Sequence, residues 1–225
     1  MLKKLFKNKK NRYKNLILVI LPFVILIGVF AYTSYSSLSS VIGMASGNNK
    51  QILSIESMDY HLRNNATDLQ KELFKELSKA VEDNVEGEKN AEIAGLVAQN
   101  YVADFYTWSN KKGSFDIGGM YYVHSPSKLS IYYQARDSFY KYVSHYINEY
   151  GNENLLEVES VEVQVGGDTG IYEYNGKSYP YYYVMCDWTY VDHEGFDEST
   201  YRTREYFSVI INEDDRFEIV QAYGD

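Results

Sequence analysis

Cysteine is almost absent from this 225-residue chain: Cys186 stands alone, so no internal disulfide can form, and the folded part must be stable from its core. Its distance from the N-terminus also leaves no thiol for a lipoprotein linkage. Proline is equally scarce, with three residues, and the four histidines are scattered. No G-x-S-x-G elbow, H-E-x-x-H pair or G-x-x-x-x-G-K phosphate loop occurs, so the common signatures of nucleophilic, zinc and nucleotide chemistry are missing. Basic residues are few beyond the first 14 positions: 15 lysines and arginines face 31 aspartates and glutamates, a net charge of about −16 (15 minus 31). Such a surface repels nucleic acid, and no nucleic-acid partner is expected.

What the chain does possess is one long apolar run. Residues 16–32 read L-I-L-V-I-L-P-F-V-I-L-I-G-V-F-A-Y without a charge. That is at the lower end of the length that crosses about 30 Å of hydrocarbon, and Pro22 is tolerable in a spanning helix. Lys3, Lys4, Lys7, Lys9, Lys10, Arg12 and Lys14 precede it with no acidic residue among them, which leaves the N-terminus in the cytoplasm and sends the remainder outward. The rival reading is a cleavable signal, for which Val29-Phe30-Ala31 offers small residues. The run exceeds the usual apolar core of about 7 to 15 residues, which favours an uncleaved anchor. The basic tail orients the anchor, and each cation near anionic head groups adds about 1 kcal/mol. The expected organisation is a basic cytoplasmic tail over residues 1–14, a transmembrane helix over 15–35, a Ser-, Gly- and Asn-rich spacer or stalk over 36–66, and an extracytoplasmic α+β domain over 67–225.

Within that domain the apolar period changes from helical to extended. Leu69, Leu73, Leu77 and Val81 mark an amphipathic helix from about Thr67, whose narrow stripe either packs on its own domain or forms a membrane-proximal coiled coil. After the Gly87 region a second helix presents Ala91, Ala94, Val97, Ala98, Tyr101, Val102, Phe105 and Trp108 on one broad face. Gly118-Gly119 precede a short strand, Met120 to Val123, with a tight approach at the glycines. Ser125-Pro126-Ser127 then caps a third helix that runs to Gly151. From Leu155 the period is two: Val161, Val163 and Val165 alternate with polar residues. Asn175-Gly176 signals a hairpin into a long strand whose one face carries Tyr182, Val184, Cys186, Trp188 and Tyr190 and the other Tyr181, Tyr183, Met185 and Asp187. Pro180 belongs at that strand's start or at a bulge. Two further strands, residues 201–211 and 216–223, complete an antiparallel sheet.

The order of these elements resembles the cone-shaped nuclear transport factor-like fold, in which a curled sheet wraps long helices. The resemblance covers about residues 91–225 and is carried by that order and by Tyr101-Val102-Ala103-Asp104-Phe105-Tyr106-Thr107-Trp108 and Gly118-Gly119-Met120-Tyr121-Tyr122-Val123. Behind an N-in anchor, it is similar to the assembly factor of type IV secretion and conjugation machines, including those of Gram-positive conjugative elements. The resemblance implies an oligomerising scaffold that engages protein partners or itself, with no catalyst and no cofactor. The Lys-, Asn-, Ile- and Tyr-rich composition suits a low-GC Gram-positive source.

Enzymes of that fold work through acids, histidines and tyrosines inside the cone, which directs attention to Asp104, Asp116, Tyr121, His145 and Asp187. Asp187, between Cys186 and Trp188, would be a general base if buried, or a partner of Arg202 or Arg204 if not. Tyr121, Tyr181 and Tyr183 are candidates for a pocket or protein interface. His145 and Glu149 share a helical face but lack a third ligand, so no metal is expected. The acidic turn from Asp192 to Glu198 departs from the spacing of an EF-hand.

Overall fold

The computed structural model describes residues 52–193 and 196–224. The expected basic tail, transmembrane helix and first part of the spacer lie outside the described residues. Among the described residues no helix is long and apolar enough to cross a membrane. Over the described residues the architecture is α+β, with four α-helices and an antiparallel four-stranded sheet.

Folding begins earlier than the expected boundary at residue 67. A small antiparallel pair, β1 (Ser54–Ile55) and β2 (Tyr60–His61), lies inside the segment read as spacer. Tyr60 is fully buried, packs at 4.9 Å on the Tyr122 ring and donates its hydroxyl to the Phe217 carbonyl. The spacer reading is therefore corrected over residues 52–66: one aromatic and one arginine in this polar stretch find partners more than forty residues away.

Helix α1 (Asp68–Glu82) starts at Thr67 through a reciprocal capping box with Gln70. Its stripe faces helix α2 (Asn90–Phe105), burying Leu73, Phe74 and Leu77, while Leu69 and Val81 are half-buried. Two amides fasten the pair: Gln70 Nε2 donates to Ala103 O at 2.8 Å, and Asn100 Nδ2 to Leu73 O at 3.1 Å. The stripe thus packs on its own domain and is not left free as a coiled-coil seam. Helix α2 touches all four long strands on its other side, so it is buried nearly all round and not on one face alone.

The expected third helix is broken. A 3₁₀ turn over Ser125–Ser127 leads into α3 (Lys128–Asp137), and α4 (Val143–Tyr150) follows after an interruption. Ser125 does not cap; its hydroxyl donates to Glu218 Oε1 at 3.0 Å. The interruption lets Tyr140 turn inward, where its hydroxyl donates to Phe105 O at 2.5 Å and accepts from Gly118 N at 3.1 Å. A continuous helix would carry Tyr140 away from both groups.

The sheet runs in the order β3 (Val158–Tyr174), β4 (Lys177–Tyr190), β5 (Arg204–Ile211), β6 (Phe217–Tyr223), all antiparallel. Asn175 and Gly176, both at positive φ, close the β3–β4 hairpin as their pairing predicts. Pro180 lies inside β4, opposite Ile171 on β3 but just beyond the last β5 pair at Tyr181, where its missing N–H costs the sheet least. Val184, Cys186, Trp188 and Tyr190 face the helices and are buried, as the alternation requires. Residues 120–123 form no strand of their own; Val123 makes a single parallel bridge to Ile219 at the sheet edge.

Because Leu77 is fully buried against α2, Leu77→Ala should cost about 2–5 kcal/mol in chemical denaturation. The loss should be the same at every protein concentration. A loss that shrinks as protein concentration rises would instead return the stripe to an intermolecular seam.

Candidate functional site

Two clusters of polar side chains are buried against α2, one at its C-terminal end and one on its sheet-facing side. The first is an ion network. Asp104 Oδ1 accepts from Arg63 Nε at 2.9 Å and from Lys111 Nζ at 2.9 Å, while its Oδ2 accepts from Gly119 N at 2.7 Å. Arg63 continues to Asp116 Oδ1 at 3.1 Å and to the Asn110 carbonyl at 3.0 Å. The Lys111 side chain is fully buried and also donates to the Asp104 carbonyl at 2.8 Å and Asn110 Oδ1 at 2.9 Å. Burial alone would raise the Asp104 pKa; Lys111 and Arg63 outweigh it and hold the carboxyl at about 2. Burial, against the pull of Asp104, brings Lys111 down to about 8.

Two cations and two anions balance here, and every donor has an acceptor. Gly118 and Gly119 make the geometry possible: a Cβ on Gly118 would sit 2.1 Å from the Asp104 carbonyl oxygen, and Gly119 adopts φ +74°. The network satisfies its own charges within the fold. Its work is structural.

The second cluster lines a groove of about 490 Å³ between α2, α3 and the start of β5. Tyr101, Phe105, Tyr106, Phe139 and Tyr201 supply its aromatic walls. On β5, Glu205 shares the inward register of Phe207 and Val209 and is only 6 % exposed. Its Oε2 accepts from the Tyr106 hydroxyl, and its Oε1 from Arg202 Nη1 at 2.6 Å. Burial raises the Glu205 carboxyl above its ordinary range, against the Tyr106 hydrogen bond and the Arg202 charge. Tyr106 also packs on Trp188 at 4.4 Å between ring centroids. A concave, largely aromatic groove with one buried carboxylate and two attending polar groups has the general form of a small-molecule site.

A wider depression of about 620 Å³ gathers Asp68, Glu153, Glu157 and Glu159 with Asn65, Asn110 and Asn152. It lacks an aromatic wall. Among the described residues no group of three or more His, Cys, Asp or Glu is placed to hold a metal ion.

The residues singled out by sequence do not converge. Asp104 and Asp116 belong to the ion network. Tyr121 is exposed beside His61, at 5.1 Å between rings, and Lys128 Nζ lies over its ring at 5.9 Å from the centroid. Tyr181 and Tyr183 point from β4 away from the helices, and Tyr183 stacks on Tyr206 at 5.7 Å. Asp187 shares that outer face, pairs with Arg204 at 2.6 Å and is one-third exposed, so it is no interior base. The register excludes it: inward Cys186 and Trp188 force Asp187 outward. His145 and Glu149 form a solvated pair at 3.1 Å.

Sequence singles out neither Glu205 nor Tyr106, and names Arg202 only as a partner for Asp187. The signal was nevertheless present, since counting by two from Phe207 and Val209 places Glu205 on the inner face.

The two carboxylates titrate with opposite consequences. Asp104, depressed from 3.8 to about 2, supplies stability above its ordinary range and loses it as pH falls from about 4 towards 2. That is a loss of about 2 kcal/mol, and the Asp104→Asn variant should lack this acid limb. Glu205 is raised, so it adds stability as pH falls from neutrality towards 4.5, and Glu205→Gln should be more stable than wild type at pH 7 and lose that gain. Denaturant titrations at pH 7, 5 and 3 separate the two; a Glu205→Gln protein less stable than wild type at pH 7 would contradict the assignment. Comparison of the chain with known protein families, with curated proteins and with solved structures finds no match in any of the three.

Proposed function

We propose that this chain is a membrane-anchored, extracytoplasmic protein-interaction and assembly module, serving a conjugation or secretion apparatus through a cone-like, nuclear transport factor-like domain. The anchor rests on the apolar run over residues 16–32 and its basic flank. In favour of a curled sheet are the register shifts in β3 between Val158 and Ser160 and between Val165 and Thr169, and in β5–β6 at Ser208 and Val209, since bulges add twist. The helix order around α2 suits that cone.

The observation that carries the interaction reading is the surface of α3. Of its ten residues only Ala135 is buried. Leu129 is 65 % exposed and Tyr133 47 %, and Phe115 and Tyr142 nearby are 61 % and 53 % exposed. Tyr132 ties α3 to the Phe115 carbonyl at 2.9 Å, so Phe115 and the helix form one face. Exposed leucine and aromatic side chains grouped on a folded surface are characteristic of protein interfaces. This face replaces the Leu69 to Val81 stripe as the seat of association, because that stripe is occupied within the domain. A second reading, a ligand-binding cone, is favoured by Glu205 in its aromatic groove and no longer by Asp187.

Leu129→Ser with Tyr133→Ser should leave stability within about 0.5 kcal/mol, because both side chains are solvated. It should weaken capture of the protein partner, or of a second copy, by about tenfold or more. A photo-crosslinking residue at position 129 in the intact membrane should give a discrete adduct. Absence of any adduct, with capture unchanged in the double variant, would remove the support for assembly through α3.

A further inference from the structure

The groove beneath α3 holds a buried carboxylate, which the assembly reading does not use. The charge and mobility of the groups around it decide what it can accept. Glu205 is fixed: it sits in β5 between paired residues, points inward and is 6 % exposed. A carboxylate offers about four acceptor positions, and two are taken, by the Tyr106 hydroxyl and by Arg202 Nη1. Arg202 is different. Its side chain is 44 % exposed, it precedes β5, and its guanidinium lies flat against Gly224, where a Cβ would come within 2.3 Å of Cζ.

A ligand entering the groove meets both charges, and only one can withdraw. Arg202 can turn into water, where an exposed ion pair is worth little. Glu205 cannot leave its strand. An anion would therefore be pressed against a carboxylate with no escape, whereas a cation would take the place that the guanidinium vacates. The walls supply the apolar seat, since Tyr101, Phe105, Phe139 and Tyr201 line the groove. The volume of about 490 Å³ suits a small ligand or a single projecting side chain.

We infer that the groove binds an organic ammonium ion with an apolar body, the ammonium on the Glu205 carboxylate and the body among the aromatic walls, in competition with Arg202. A free amine and a lysine side chain of a protein partner share this chemistry. The inference rests on the reading of the groove as a ligand site. It assigns the ligand's charge and gives Glu205 and Arg202 opposite roles. Glu205 is the recognition group; Arg202 is the internal competitor.

The test uses the full chain in detergent micelles, titrated by calorimetry with phenethylammonium and with 3-phenylpropionate, which presents the same body with the opposite charge. Phenethylammonium should bind at millimolar concentration and 3-phenylpropionate should not. Glu205→Gln should weaken phenethylammonium by about tenfold or more. Arg202→Gln should tighten it severalfold. A variant that merely disturbs the fold cannot reproduce that opposition, and melting curves verify that both variants fold. A lysine-bearing peptide that competes with phenethylammonium would indicate a partner side chain as the source; lack of competition would indicate a free amine.

Tighter binding of 3-phenylpropionate, abolished by Arg202→Gln, would overturn the assigned charge while leaving the groove a ligand site. Equal binding of the two probes would also overturn it. Binding of neither would remove the ligand-site reading itself.

Discussion

The position of Asp104 governs the rest of the structure. It lies in the last turn of α2 and is largely buried, and a carboxylate there without partners would cost several kcal/mol. Three separate stretches of chain meet that requirement: Arg63 from the segment before α1, Lys111 from the loop after α2, and the Gly119 amide from the turn before α3. Each tie fixes a segment with little regular structure of its own. Arg63 also reaches Asp116, so both arms of the loop over residues 108–119 are held from one guanidinium. Replacing one partner leaves the others charged and buried, which is why such a network resists piecemeal change. The glycines at 118 and 119 follow from the same cause, since the chain must pass within contact distance of the Asp104 backbone.

With the end of α2 pinned, the aromatic side chains after it have defined places. Trp108 N and Ser109 N both donate to Leu156 O, at 2.6 and 3.0 Å, and the Thr107 hydroxyl accepts from Val158 N at 3.1 Å. These bonds tie the helix exit to the start of β3. Around them Phe105, Tyr106, Trp108, Phe139 and Tyr140 pack edge to face, stacked or tilted, with centroids between 4.8 and 6.3 Å. Aromatic pairs in these geometries add about 0.5–1.5 kcal/mol each beyond area burial. The break between α3 and α4 belongs to this cluster, because Tyr140 can reach the Phe105 carbonyl only if the helix is interrupted.

Much of this order is legible in the residues. Period-two alternation assigns both faces of β4, Asn175-Gly176 fixes the hairpin, and the Leu73 and Leu77 spacing marks α1. What escapes is set by long-range partners. Tyr60 and Arg63 sit in a polar stretch that reads as a tether, and only Phe217 and Asp104, far along the chain, give them a reason to be ordered. Nothing local in residues 125–150 interrupts the helical period; the demand comes from Phe105 and Gly118. The site divides the same way. Asp187 drew attention by its apolar neighbours, yet alternation with Cys186 and Trp188 sends it outward to Arg204. Glu205 was hidden among charged neighbours in Arg202-Thr203-Arg204-Glu205, although the same alternation turns it inward.

The two buried acids also show how burial can serve opposite ends. Asp104 meets two cations and a backbone amide, so its charge is compensated and its carboxyl is held low. Glu205 is the less exposed of the two and has only one hydroxyl and one half-exposed arginine, and burial prevails. A fold selected only for stability would gain by placing an apolar residue between Phe207 and the start of β5, where Glu205 now stands. Keeping an under-compensated carboxylate at the floor of an open aromatic groove is a cost without structural return, whereas the same cost at Asp104 holds three segments together. That difference, set by the number of fixed partners around each acid, separates the structural centre of this protein from its candidate binding site.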